Sequence, residues 1–134
     1  WCVANAESLP FDGKTADFVT IAFGLRNITD RQAALSEAYR ILKPGGRFLC
    51  LEFSHVQNQP LARLYHSWSF NILPFMGQVI AGDADSYRYL VESIRTFPTK
   101  EVLADMLAKA GFVQIRVRTL SAGIACIHSG WKLD

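Results

Sequence analysis

Apolar residues run almost without interruption through residues 17–25 (DFVTIAFGL), recur at three- and four-residue spacing through residues 30–42, and run again through residues 47–53 (RFLCLEF). An unbroken run of strand length, rich in β-branched and aromatic side chains, is the signature of a strand buried on both faces of a parallel sheet. The middle segment predicts an amphipathic helix. Thr29 and Asp30 offer N-cap oxygens, Ala33, Ala34, Ala38, Tyr39, Ile41 and Leu42 form its repeating face, and Pro44-Gly45-Gly46 stops it with a tight turn. Strand, helix and strand within about forty residues make a βαβ unit, expected to cross over in the right-handed sense.

Residues 55–97 break this rhythm. Pro60, Pro74, Gly77 and Gly82 divide aromatic-rich stretches such as LYHSWSFNILPFM, which read as short helices joined by loops. Beyond them Thr99 caps a helix running to Ala110, with Glu101 in its first turn and Gly111 at its C′ position. Residues 113–120 (VQIRVRTL) alternate as a half-exposed strand, residues 124–128 (IACIH) form a last apolar strand, and Ser121-Ala122-Gly123 predicts an antiparallel hairpin between them. The fold class is α/β.

Composition narrows the functions. With 134 residues, half of them hydrophobic, the chain is long enough for one packed core. Fourteen basic and twelve acidic residues are dispersed, so no cationic stripe suits a nucleic acid. Cys2, Cys50 and Cys126 are odd in number and lack metal spacing, and are expected to be buried, reduced thiols of a reducing compartment. No stretch reaches the roughly 18–20 apolar residues of a bilayer span. The start WCVANAESLPF has no Met, charged n-region or apolar h-region, and is expected to be a cut end. His55, His66 and His128 lack ligand spacing, so no metal is expected.

The end of the first strand, Gly24 through Asn27, is where open α/β sheets bind their ligands. Two other features stay open between functional and structural readings. The cluster Tyr65, Trp68, Phe70 and Phe75, with Leu64, Ile72 and Met76, suits a core or an apolar pocket. Asp85, before SYRYLVESI, suits an N-cap or an acid–base group.

Several strings carry a resemblance: Asn5-Ala6-Glu7 with Leu9-Pro10-Phe11, Phe23-Gly24-Leu25-Arg26-Asn27, and Leu42-Lys43-Pro44-Gly45-Gly46. Leu51-Glu52-Phe53-Ser54 and the stretch from Asp85 through Tyr87, Tyr89, Leu90, Glu92, Ser93 and Ile94 to Phe97-Pro98 continue it. LKPGG alone marks many methyltransferases. Together the strings resemble the second half of class I S-adenosylmethionine-dependent methyltransferases, specifically the UbiE/COQ5 C-methyltransferases of ubiquinone and menaquinone biosynthesis. The likeness covers residues 5–133, and the closing IHSGWKL and the GGRFLCLEFS string look more like the mitochondrial branch.

The resemblance implies the C-terminal half of a Rossmann-like doubly wound sheet of order 3-2-1-4-5-7-6, with a helical insertion and a C-terminal antiparallel hairpin. Residues 1–134 would be a partial class I domain, with residues 55–97 as a helical substrate lid. It further implies C-methylation of a polyprenyl benzoquinol of the 2-methoxy-6-polyprenyl-1,4-benzoquinol type, with S-adenosylmethionine as methyl donor. Such chemistry needs a proton removed and a ring oxyanion stabilised, so three catalytic residues are expected: Arg26 and Asn27 at the oxyanion, Arg26 being otherwise a sheet-edge ion pair, and Asp85 as the base or the holder of the quinol hydroxyl. Asn5, Ala6 and Ala22 are expected at the cofactor, Asn5 through an amide that both donates and accepts. Tyr65, Trp68, Asp83 and Tyr87 are expected at the substrate.

The family's glycine-rich turn and the acidic residue for the ribose are not among these 134 residues, so the chain alone is expected to bind S-adenosylmethionine weakly and to be inactive. The alternatives are a methyltransferase for another small molecule, such as a sterol or phospholipid amine, and a non-catalytic assembly module of a quinone-biosynthesis complex. The strand at residues 17–25 would lack its first-strand neighbour, predicting a homodimer or edge-paired assembly, or an N-terminal segment folded over that edge. Peripheral membrane contact is expected through the insertion. The implied location is the matrix side of the mitochondrial inner membrane if eukaryotic and the cytoplasm if bacterial.

Overall fold

The computed structural model of the chain describes residues 1–55 and 84–134, with only the backbone of Ala84 and Tyr87. Four strands and three α-helices follow in the order β1 (Ala16–Ala22), α1 (Arg31–Ile41), β2 (Leu42–Phe53), α2 (Ala84–Arg95), α3 (Lys100–Lys109), β3 (Val113–Leu120) and β4 (Ala125–Trp131). The strands form one sheet of order β1-β2-β4-β3, with β1 parallel to β2 and β4 antiparallel to both β2 and β3. This is the 4-5-7-6 end of the expected order.

The βαβ unit forms as the apolar pattern predicts, with differences at its joints. Asp30, not Thr29, caps α1, its carboxylate accepting the Ala33 N–H at 2.9 Å. Leu42 leaves the helix in extended conformation and opens β2. The Pro44-Gly45-Gly46 turn is therefore an irregularity inside the sheet: pairing passes from Ala16↔Leu42 to Phe18↔Arg47. Gly45 N–H donates to the Lys132 carbonyl at 2.7 Å and Lys132 N–H to Gly46 at 3.0 Å, so the turn is stitched to the end of β4.

Strand β1 corrects two expectations. It ends at Ala22, because Phe23 turns into the left-handed region at φ 53° and Leu25 drops into the core, 1% exposed. Nor is it buried on both faces: Phe18 is 64% exposed and Thr20 and Ala22 are also exposed. It is an outer strand, and α1 and α3 pack together on one face of the sheet, where Leu35, Ala38, Leu103 and Leu107 meet Phe48 and Cys50. No described strand pairs with its outer edge.

At the other end β3 keeps the predicted limits, whereas β4 extends to Trp131, past the expected residue 128. Ser129 and Gly130, just past the expected end, belong to an interior strand bonded to β2 and β3, and with His128 they are buried. Helix α3 ends as predicted at Gly111 (φ 104°), whose N–H bonds the Ala108 carbonyl while Phe112 N–H reaches Leu107. A Cβ at Gly111 would lie 2.9 Å from the Tyr39 ring, so helix end and ring require glycine there.

Cys50 and Cys126 are buried, but Cys2 is exposed, against the expectation for all three. Burial, then the nearby Glu52 charge, pushes the Cys50 thiol up to about 12, so it stays protonated. His128 is 2% exposed, its Nε2–H donating to the Lys100 carbonyl at 2.9 Å. Burial lowers its pKa below the ordinary 6.5 against the raising effect of that bond. Between the lowered value and 6.5 the unfolded chain binds the extra proton, so stability falls as pH drops below about 6.5. His128→Gln, which can keep a donor to Lys100, is expected to flatten that dependence in urea unfolding between pH 5 and 8; an unchanged slope would exclude His128 as its source.

Candidate functional site

Four segments meet around the C-terminal ends of β1 and β2. The last sheet bond of β1 runs from Phe23 N–H to the Leu51 carbonyl at 2.9 Å. Phe23 then turns with φ 53°, a conformation costly for an aromatic residue and concentrated at functional sites, and its ring packs on Phe53 with centroids 4.7 Å apart. Leu25–Asn27 follows as one turn of 3-10 helix.

Arg26, in that turn, is held by Glu52 near the end of β2. Glu52 is 1% exposed and the Arg26 side chain 12%. Oε1 accepts the Arg26 backbone N–H at 3.2 Å and Nη1 at 3.4 Å, while Oε2 accepts Nη1 at 3.2 Å and the Phe53 N–H at 3.2 Å. Nη1 also donates to the Phe23 carbonyl, and the guanidinium lies 5.4 Å from the Phe53 ring centroid. Only Nη1 meets the carboxylate, so this is not the two-nitrogen fork of a bidentate pair. A second guanidinium adjoins: Arg31 Nη2 donates to the Arg26 carbonyl at 3.0 Å and lies over Phe97.

Asn27 is exposed, and its Oδ1 accepts the Tyr89 hydroxyl of α2 at 3.1 Å. With one lone pair of that oxygen engaged, the amide nitrogen keeps both its donors for a ligand. Asp85 lies in the first turn of α2, its side chain 92% exposed and paired with Arg88 at 3.1 Å; no described contact joins it to Arg26 or Asn27. Tyr65, Trp68 and Asp83, and the side chain of Tyr87, lie outside the described residues.

The N-terminal segment is tied to the same end by hydrogen bonds. Asn5 Oδ1 accepts the Glu7 N–H, Glu7 Oε1 accepts the Asp30 N–H, and Asp30 caps α1. Asn5 and Ala6 therefore sit on a turn anchored beside the loop that follows Asn27, while Ala22, exposed at the end of β1, offers a methyl group and backbone. Farther along, Glu37 accepts the Leu9 N–H at 2.8 Å and pairs with Arg40, whose guanidinium also holds the Leu9 and Phe11 carbonyls. The Arg40 hydrogen bond, with that of Leu9, holds the Glu37 carboxyl at about 2.

Glu52 and Tyr89 received no site role from sequence. A carboxylate at the ligand end of an apolar strand was the available signal for Glu52. Among the described residues no group of three or more His, Cys, Asp or Glu could hold a metal ion, and no helix is long and apolar enough to cross a membrane.

The model of the ubiE/COQ5 methyltransferase family matches residues 1–132. The ubiquinone/menaquinone biosynthesis C-methyltransferase UbiE of Cereibacter sphaeroides is 56% identical over 133 residues, which are 99% of this chain and 53% of that protein. The mitochondrial 2-methoxy-6-polyprenyl-1,4-benzoquinol methylase of Gallus gallus is 58% identical over 133 residues, 99% of this chain and 43% of that protein. The chain thus spans about half the length of the curated relatives it matches. Among solved structures, a S-adenosylmethionine-dependent methyltransferase of Thermotoga maritima, a possible histamine N-methyltransferase, superposes with a TM-score of 0.68 at 23% identity, over 95% of this chain and 60% of that one. This likeness shows the fold.

Because Glu37 and Arg40 hold residues 9–11 on α1, Glu37→Ala is expected to loosen the segment bearing Asn5 and Ala6. Amide exchange at Leu9 should rise about tenfold or more while the β2 and β4 amides keep their protection. Unchanged exchange at Leu9 would show that the segment is held by something else.

Proposed function

The chain belongs to the ubiE/COQ5 methyltransferase family, and on that premise we propose that it forms the substrate side of an enzyme transferring a methyl group from S-adenosylmethionine to a ring carbon of a polyprenyl benzoquinol. The observation that carries this reading is the Arg26–Asn27 turn, set by Glu52 and Tyr89 at the C-terminal end of a parallel strand, where α/β sheets bind ligands.

A ring carbon becomes nucleophilic when the neighbouring hydroxyl loses its proton, so the protein's task is to stabilise the resulting oxyanion. Arg26 supplies a fixed cation: Glu52 engages only Nη1, Nε is buried without a partner, and Nη2 is the nitrogen offered to the ring oxygen. Asn27 supplies the amide N–H left free by Tyr89. Arginine does not accept the proton, because its pKa lies above about 12. That proton goes to solvent, with the exposed carboxylate of Asp85 as acceptor along the way. Phe23, 37% exposed, offers apolar surface beside the ring. Recognition of the tail by Tyr65 and Trp68 and of a quinol hydroxyl by Asp83, with Tyr87 beside it, and peripheral membrane contact through their segment, rest on sequence alone.

S-adenosylmethionine, when bound, supplies the activated methyl group. Of its parts, the described residues suit the adenine edge: Asn5, its oxygen spent on Glu7, keeps an amide donor, and the Ala22 methyl leaves room for a close approach. Nothing comparable to a glycine-rich turn is present for the methionine moiety, which supports inactivity of these 134 residues alone.

A second reading, a non-catalytic assembly module, is favoured by the outer edge of β1, left without a strand partner among the described residues; a homodimer paired through that edge fits either reading. The relatives, one bacterial and one mitochondrial, support the cytoplasm or the mitochondrial matrix respectively.

The test is a chimera in which this chain replaces the matching 133 residues of the Cereibacter sphaeroides relative, assayed with a short-tailed benzoquinol and S-adenosylmethionine. The chimera should methylate the ring, and Arg26→Met should lower kcat by about 10²–10³-fold, the usual loss on removing an oxyanion stabiliser. A folded chimera that binds S-adenosylmethionine but methylates no quinol would refute the enzymatic reading and leave the module. Titration calorimetry of the chain alone should show no low-micromolar S-adenosylmethionine binding; such binding would refute its weak affinity for the methyl donor.

A further inference from the structure

We propose that Glu52 is a positioning residue for the methyl-transfer site, fixing the Arg26 guanidinium and the Arg26–Asn27 backbone as one unit. The proposal rests on the reading above, in which Arg26 and Asn27 face the ring oxygen.

Glu52 shares a strand face with Phe48 and Cys50, each at most 2% exposed, which contribute to the apolar core. A carboxylate there gives up its hydration, an apolar residue of similar volume would serve stability as well or better, and the charge calls for another explanation. The hydrogen bonds supply it. Simple charge neutralisation would need only the guanidinium, yet Oε1 also takes the backbone N–H of the same arginine. Oε2, in turn, is oriented by the Phe53 N–H, within the Glu52 residue's own strand.

The grip opposes two freedoms. A one-turn 3-10 helix entered through a left-handed phenylalanine has few backbone bonds of its own: Asn27 N–H to Gly24 and Ile28 N–H to Leu25. The arginine side chain has several rotatable bonds. Glu52 restrains the turn and the guanidinium together from β2, which is bonded on both edges and is therefore rigid. Tyr89 then meets Asn27 from α2, so the two polar side chains are held from opposite neighbours.

In the same chimera, Glu52→Asp keeps the buried charge, and so the folded core, but withdraws the carboxylate by about 1.5 Å, one carbon–carbon bond; Glu52→Gln keeps the shape and removes the charge. Both are expected to lower kcat by about tenfold or more with KM for the quinol changed less than about threefold, the pattern of a disturbed transition-state geometry. Amide exchange at Arg26 should accelerate by about tenfold or more in Glu52→Asp relative to the β2 and β4 amides. Normal kcat in Glu52→Asp with loss in Glu52→Gln would mean that charge alone suffices, and would overturn positioning. A loss of kcat without faster exchange at Arg26 would overturn it as well. If the parent chimera folds but methylates nothing, the functional reading fails separately, and the exchange measurement still decides whether Glu52 fixes the turn.

Discussion

The double pairing of β2 is the constraint on which the rest depends. Bonded in parallel to β1 and antiparallel to β4 through residues 47–51, and to β4 as far as Phe53, β2 cannot slide by one residue without turning Phe48, Cys50 and Glu52 out of the core. That register places Phe48 and Cys50 under α1 and α3, and carries a single carboxylate to the end of the strand on the same face. There its hydration is lost, and the nearest cation it can claim is Arg26, in the turn that leaves β1.

The site follows from how that carboxylate is compensated. Arg26 is drawn onto Glu52 and over Phe53, Phe23 adopts a left-handed conformation to let the chain turn, and Arg31 braces the Arg26 carbonyl. A buried ion pair of this kind adds little stability compared with apolar packing, but removing one partner leaves a charge stranded. On the proposed reading its use is geometric: it presents one face of a guanidinium and one amide at the C-terminal end of the parallel strands. The N-terminal turn with Asn5 and Ala6 reaches the same neighbourhood through Glu7 and Asp30.

Much of this was legible in residue patterns. Period and punctuation gave α1, α3, β3 and the parallel pair, since Asp30, Thr99 and Gly111 act through local chemistry that needs no tertiary partner. Features decided by neighbours were misread. Residues 23–25 continue an apolar run, yet Leu25 is apolar because it plugs the core beneath the turn. Ser129 and Gly130 read as lying past the end of a strand, yet interior pairing extends the strand through them and buries them. In RFLCLEF both alternating faces are largely apolar, so the pattern alone could not say which face was the core or that Glu52 lies on it. Tyr89 was equally hidden, because its contact with Asn27 spans 62 residues.

The central claim is that the Arg26–Asn27 turn faces the reacting ring. The most direct measurement is a crystal structure of the chimera with S-adenosylhomocysteine and a hydroquinone analogue. The account predicts a ring oxygen within about 3 Å of Arg26 Nη2 or the Asn27 amide nitrogen, with Glu52 still on Nη1. A ring bound elsewhere, with the Arg26 guanidinium spent wholly on Glu52, would contradict it.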